Sequence, residues 1–157
     1  MMKTLLFASF TAAVLSLSAS AQEAAVAELT VKPAAPTGMA WEQTELTVKP
    51  GQKVKLTLDN TIIPNVPPLP HNWVLVKPGK DAVVGNASLM MAADPAAAAK
   101  HYIPDASKAD ILANTKLVQP NAKEVLEFTA PAEAGDYPYI CTFPGHFLLM
   151  KGVLHVK

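Results

Sequence analysis

Lys53-Val54-Lys55-Leu56-Thr57-Leu58 is the stretch that decides the fold class of this chain. Polar and apolar side chains alternate along it, so that Val54, Leu56 and Leu58 lie on one face of an extended backbone. The alternating segment from Glu45 to Lys49 ends at Pro50-Gly51, a turn pair just before this stretch. The two segments predict neighbouring β-strands, each with one face on a hydrophobic core.

Short strand-like segments separated by proline and glycine recur along the rest of the chain. The 14 prolines fit loops and strand ends better than helix interiors. The pattern predicts an all-β fold, specifically a Greek-key β-sandwich. The further predicted strands run from His71 to Val76, Thr115 to Val118, Glu124 to Thr129, Tyr137 to Cys141 and Gly152 to Val156.

One segment departs from the strand pattern. Asp94-Pro95 followed by four alanines, Lys100 and His101 is typical of an N-cap, a proline at the first helical position and a short helix. We therefore expect a short helical flap, within Gly85 to Pro104, inserted between strands.

The N-terminus predicts an exported protein. A basic start, the apolar run from Thr4 to Leu17 and Ala19-Ser20-Ala21 indicate a signal peptide over residues 1–21. The apolar run is too short for a comfortable transmembrane helix, so we expect a periplasmic protein without stable membrane insertion. Residues 22–40 form either a loose leader or an added edge strand, and residues 41–157 form the domain. Glu-Leu-Thr-Val-Lys-Pro occurs twice, at residues 28–33 and 45–50.

The charges do not indicate a nucleic-acid partner. Thirteen basic residues, all of them lysine, balance thirteen acidic residues. A nucleic-acid-binding domain is expected to show a basic patch with arginine for bidentate contacts. That class of function is therefore excluded.

The segment Cys141-Thr-Phe-Pro-Gly-His146-Phe-Leu-Leu-Met150 places a thiolate, an imidazole and a thioether close together. Two His and one Cys with a distant axial Met are the ligands of blue-copper electron-transfer sites. His71 is the best candidate for the second imidazole. Ligation also explains an unpaired cysteine in an exported protein, because a metal holds the thiol as a deprotonated ligand.

Other interpretations of these residues stay open at this point. Zinc could occupy the same ligands, and a thiol hydrolase could use Cys141 with His146, although nothing marks an oxyanion hole. A copper-handling protein could draw on Met90, Met91 and His101 for transient binding. His155, in the last strand, is expected to be exposed and inert.

The run CTFPGHFLLMKG, the segment HNWVL and Asn-Thr-Lys-Leu at residues 114–117 resemble the azurins and auracyanins of the cupredoxin family. The resemblance implies copper held equatorially by His71, Cys141 and His146 and axially by Met150. It also implies a weak contact from the Pro70 carbonyl, where azurins have glycine, and backbone N–H donors to the Cys141 sulfur. Those donors are the second-shell residues Asn72 and Phe143. The single cysteine departs from azurins, which usually carry a disulfide.

Ligands and resemblance together predict a soluble one-electron carrier rather than an enzyme. It would act as a monomer with one type 1 copper per chain and exchange electrons with protein redox donors and acceptors. We expect brief docking through an apolar patch around His146, with a rim formed by residues 64–70, Leu69 among them, and extended by Pro144, Phe147 and Leu148.

Overall fold

The computed structural model describes residues 25–61 and 63–157, which form two β-sheets around a shared core. The predicted all-β sandwich is confirmed, and the signal peptide predicted for residues 1–21 lies outside the described residues. The regular elements are β1 (Ala27–Val31), β2 (Glu45–Val48), β3 (Lys53–Asn60), β4 (Val74–Val76), α1 (Asp81–Met90), β5 (Ile111–Asn114), β6 (Ala122–Thr129), β7 (Gly135–Ile140) and β8 (Lys151–Val156).

The strands divide into a three-stranded sheet, in the order β1-β3-β6, and a five-stranded sheet, in the order β2-β8-β7-β4-β5. Within these sheets β1 pairs parallel with β3 and β2 pairs parallel with β8. The remaining pairs are antiparallel. The parallel pairs thus lie at one edge of each sheet.

Both copies of the repeated hexapeptide form edge strands. The first copy supplies β1 and the second supplies β2, and in each the leucine and valine alternate with exposed Glu and Thr. β1 lies at the edge of the three-stranded sheet, beside β3. The shared alternation explains why one short sequence suits both edges.

The main core lies between the two sheets, and both sheets contribute side chains to it. Val54, Leu56 and Leu58 of β3 are all but fully buried, as their alternation predicts. They pack in one cluster with Leu75 of β4 and with Trp73, the residue just before β4. A second, smaller cluster lies on the opposite face of β4 and consists of Val74, Val76, Val84, Ile140 and Phe147. Burial on both faces accounts for the continuous apolar run at β4.

The predicted short helix inserted between strands is confirmed, but it lies earlier than the sequence predicts. α1 spans Asp81–Met90, whereas residues 95–100 form successive turns, so the helix predicted from Asp94 to His101 is wrong. Asp94 does accept a hydrogen bond from the Ala96 N–H at 2.8 Å, as an N-cap would. A short alanine run cannot offset the cost of helix nucleation by propensity alone, while α1 gains a buried face against the core.

The strand predicted at Thr115 to Val118 is also displaced. β5 covers Ile111–Asn114, and Val118 makes only an isolated bridge with His71. None of the helices in the described part of the chain is both long and apolar enough to cross a bilayer.

Candidate metal centre

His71 is fixed by its backbone just before β4. Its N–H donates to the Val118 carbonyl at 3.1 Å, and its carbonyl accepts from the Val118 N–H at 2.7 Å. The buried Asn60 amide donates to the carbonyls of Leu69 and Val118 at 2.9 and 3.0 Å. The imidazole is 1% exposed and meets the Trp41 ring edge-on at 6.1 Å between centroids.

Cys141 directly follows β7, and the chain then turns back on itself. Gly145 has φ +83°, a left-handed conformation that glycine adopts without strain, and a 3₁₀ turn begins at His146. The Met150 N–H donates to the His146 carbonyl at 2.7 Å, and the Cys141 N–H donates to the Met150 carbonyl at 3.0 Å. The loop therefore returns Met150 to the side of Cys141.

These elements bring the predicted ligands together. The Cys141 Sγ lies 3.8 Å from Nδ1 of His71 and 3.6 Å from Nδ1 of His146. The three ligand atoms all lie within 4.8 Å of one another. Met150 is fully buried in the same core cluster as Cys141. Within residues 25–61 and 63–157, no other group of three or more His, Cys, Asp or Glu residues brings one ligand atom from each within 4.8 Å of all the others.

The spacing fits a single metal ion. Bonds from a metal to imidazole nitrogen or thiolate sulfur are about 2.0–2.3 Å long, which puts two such ligands ~3.5–3.8 Å apart in a trigonal or tetrahedral arrangement. Both sulfur-to-nitrogen distances lie in or at the limit of that range. Thiolate and thioether sulfur combined with imidazole suit copper, and no carboxylate enters the set.

Burial determines the protonation states of the predicted ligands before a metal binds. It lowers the pKa of His71 to about 3, helped by the positive charge that His146 can carry, and lowers that of His146 to about 4. Both imidazoles are therefore neutral at pH 7, with lone pairs free to bind a metal. Burial also raises the pKa of the Cys141 thiol to about 12, so metal binding must displace its proton.

Backbone hydrogen bonding from Asn72 and Phe143 acts to lower the pKa of the Cys141 thiol, against the effect of burial. The Asn72 side chain forms a further link. Its Oδ1 accepts from the Thr142 N–H at 2.8 Å, and its Nδ2 donates to Thr142 Oγ1 at 2.7 Å. This amide therefore ties the segment after His71 to the residue after Cys141.

Sequence reasoning missed the roles of several supporting side chains. The paired amide and hydroxyl of Asn72 and Thr142 are fully buried, as is Thr115, whose Oγ1 accepts from the Trp73 N–H at 2.9 Å. Trp41, the partner of the His71 ring, was also missed. The sequence signal for these supporting roles was the presence of small polar residues near the predicted ligands, because buried polar groups need hydrogen-bond partners.

Other predicted residues lie elsewhere. His155 is not inert, because its two ring nitrogens contact the carboxylates of Asp136 and Glu45. Phe147 is only 7% exposed and belongs to the small core cluster, so its predicted place on the apolar rim is wrong. Met90 is 78% exposed at the end of α1.

Comparison with known proteins identifies the family of this site. The family model described as copper binding proteins, plastocyanin/azurin family, matches residues 27–157. This chain belongs to that family. The resemblance inferred from the sequence is thereby confirmed, and so is copper as the cofactor that the cluster of His71, Cys141, His146 and Met150 suits.

Individual relatives place the chain among blue copper proteins. Auracyanin-A of Chloroflexus aurantiacus is 43% identical over 119 residues, which cover 76% of this chain and 68% of that protein. Azurin-1 of Alcaligenes xylosoxydans xylosoxydans is 33% identical over 133 residues, covering 82% and 97%. The solved structure of auracyanin A, a "blue" copper protein, matches with a TM-score of 0.70 at 38% identity, covering 85% of this chain and 100% of that one.

Proposed function

We propose that this protein is a one-electron carrier with a single type 1 copper held by His71, Cys141, His146 and Met150. The observation that carries the proposal is the convergence of two imidazole Nδ1 atoms on one buried sulfur, 3.8 and 3.6 Å away. A bound copper ion supplies the Cu(II)/Cu(I) couple. The chain's own contribution is a ligand set fixed by backbone hydrogen bonds, which limits rearrangement between the two oxidation states.

The same buried site favours a carrier over an enzyme. Cys141 and Met150 are fully buried, and His71 and His146 are 1% and 3% exposed, so the ligands leave little room for a substrate. Electrons would pass through the edge of His146, the ligand that lies in the surface loop. The Pro70 carbonyl, one residue before His71, is proposed as a weak further contact to the metal.

Docking to redox partners is proposed for the surface beside His146. Leu148 and Leu149, which follow it, are 62% and 64% exposed, and Pro144 and Leu69 are partly exposed. Exposed apolar side chains in one place are typical of brief protein contacts. Replacing Leu148 with lysine should slow electron exchange with a protein partner and leave the blue absorption unchanged. An unchanged rate would remove Leu148 from the docking surface.

We further propose that residues 1–21 are a signal peptide that directs the protein to the periplasm. The mature protein would act as a soluble monomer, with residues 41–157 as the copper domain and residues 22–40 supplying the added strand.

The test is the spectrum of the purified protein loaded with Cu(II). We expect an intense blue absorption that ascorbate bleaches, an EPR spectrum with narrow copper hyperfine splitting, and one copper per chain. Cys141→Ser should abolish the blue colour, because the thiolate is its source. Met150→Leu is the matched control: it removes a sulfur from the same site but should keep the colour. Several labile copper ions, or a blue Cys141→Ser protein, would refute the proposal.

A further inference from the structure

The turn at His101-Tyr102, in the segment between α1 and β5, has an unfavourable backbone. His101 has φ +56° and Tyr102 has φ +54°, so two consecutive non-glycine residues adopt the left-handed conformation. Such residues persist only where the surroundings hold them, and they concentrate at functional sites. The Tyr102 N–H donates to the carbonyl of the buried Ala97 at 2.9 Å, and the Ile103 N–H donates to the Lys100 carbonyl at 3.0 Å.

The first contact of this turn is with Asn72. The His101 carbonyl accepts a hydrogen bond from Asn72 Nδ2 at 2.7 Å. An amide NH2 group has two donors, and the second goes to Thr142 Oγ1. With both donors satisfied, the amide is held in the orientation that lets its Oδ1 accept from the Thr142 N–H. Without the His101 carbonyl, a buried donor would lose its partner.

The second contact is with Phe143. The Tyr102 ring meets the Phe143 ring edge-on, with centroids 5.2 Å apart. The Phe143 ring in turn lies 4.7 Å from the imidazole of His146. The turn therefore touches Asn72 and Phe143, the two residues whose backbone N–H groups are predicted to donate to the Cys141 sulfur.

We propose that the turn at His101-Tyr102 is a positioning element that holds both N–H donors on the Cys141 sulfur and so tunes the reduction potential of the copper site. The inference rests on the proposed function. Hydrogen bonds to a ligating sulfur withdraw electron density from it, which favours the reduced metal and raises the potential. Loosening the turn should therefore lower the potential.

A pair of substitutions at one position separates the backbone from the side chain. His101→Val disfavours a positive φ because valine is β-branched, whereas His101→Gly tolerates it and keeps the carbonyl in place. Tyr102→Gly keeps the backbone conformation and removes the ring. Two quantities are measured: hydrogen exchange of the Thr142 and Phe143 amides by NMR in copper-free protein, and the reduction potential of copper-loaded protein.

We expect His101→Val to raise amide exchange at Thr142 by about tenfold, the change expected from a lost hydrogen bond, and to lower the potential. His101→Gly should change neither. Tyr102→Gly should raise exchange at Phe143 and lower the potential. If His101→Val does not fold, amide exchange and the reduction potential of the Tyr102→Gly protein test the proposal.

The proposal is overturned if the potential of the folded variants equals that of the wild type, even where amide exchange rises, because the turn would then be merely structural. It is also overturned if His101→Gly changes both quantities as much as His101→Val. A wild-type protein that takes up no blue copper refutes the proposed function instead, while the amide measurements in copper-free protein still report on the contacts of the turn.

Discussion

Gly85 on α1 allows the helix to pack against the loop that carries His146. A Cβ atom at Gly85 would lie 2.2 Å from Cδ2 and 2.4 Å from Cγ of Phe147, where ordinary carbon contacts are about 3.5–4.0 Å. The ring cannot easily move away, because it is 7% exposed and packed among Val76, Val84 and Ile140. Gly85→Ala therefore forces the helix and the loop apart.

The loss of unfolding free energy expected for Gly85→Ala is the difference between two opposing effects. Overpacking a closed core costs about 1–3 kcal/mol, and replacing a helical glycine with alanine returns roughly 1 kcal/mol of helix propensity. Because the contact is so short, we expect a net loss of about 1–2 kcal/mol in the free energy of unfolding. For a chain of this size that lowers Tm by roughly 2–8 °C.

Urea unfolding of the copper-free protein measures this loss. Asn86→Ala is the matched control, because Asn86 is exposed on the same helix and alanine there should add about 0.5 kcal/mol. The double variant with Phe147→Ala, compared with Phe147→Ala alone, should show a smaller penalty for alanine at position 85, because the clashing Cγ, Cδ2 and Cε2 atoms are gone. A Gly85→Ala protein as stable as the wild type, or a penalty of the same size in the Phe147→Ala background, would contradict this prediction.

The remaining predictions concern β8. The His155 ring donates hydrogen bonds to Asp136 and to Glu45, which raise its pKa, so its stabilising effect is fully present below about pH 6.5 and is lost as pH rises through the folded-state pKa. The stability difference between wild type and His155→Gln, measured by urea unfolding, should therefore shrink from pH 6 to pH 9, and a constant difference would contradict it. Gly152→Ala should destabilise by about 3 kcal/mol or more, since its Cβ would lie 2.6 Å from a backbone carbonyl, whereas Gly135→Ala meets only an ordinary 3.6 Å contact and should be tolerated. Thermal unfolding of the two variants checks this, and equal losses would count against it.

The strands and the ligands were the predictable part of this molecule. Alternation at β3 places Leu56 and Leu58 in the core because a two-residue period admits only one buried face. Cys141, His146 and Met150 are close in sequence, so a single loop can bring them together. His71 could be named because its strand and its residue type were both visible in the sequence.

The position of α1 could not be predicted from local sequence. Asp81–Met90 contains two valines and a glycine, which are poor helix formers, yet it forms α1. It is stabilised by burying Val84 and Gly85 against Ile140 and Phe147, residues that lie more than fifty positions later. His155 was misjudged for the same reason, because its acidic partners come from two other strands.

The repeated hexapeptide has a consequence for how the chain selects its strand partners. In each copy the leading glutamate meets a basic residue on the inner strand, Lys55 for Glu28 and His155 for Glu45. The two copies therefore offer the same side chains to both sheets, and the hexapeptide alone does not specify which sheet each copy joins.

The length of the segment that links each copy to β3 determines which sheet edge that copy occupies. β2 is joined to β3 by residues 49–52 alone, and a parallel pair needs a crossover of about a dozen residues or more. The second copy is therefore barred from lying parallel beside β3, and that edge remains for the first copy, which is separated from β3 by residues 32–52. Lengthening the link at Pro50-Gly51 would remove this constraint and let two identical strands compete for one edge.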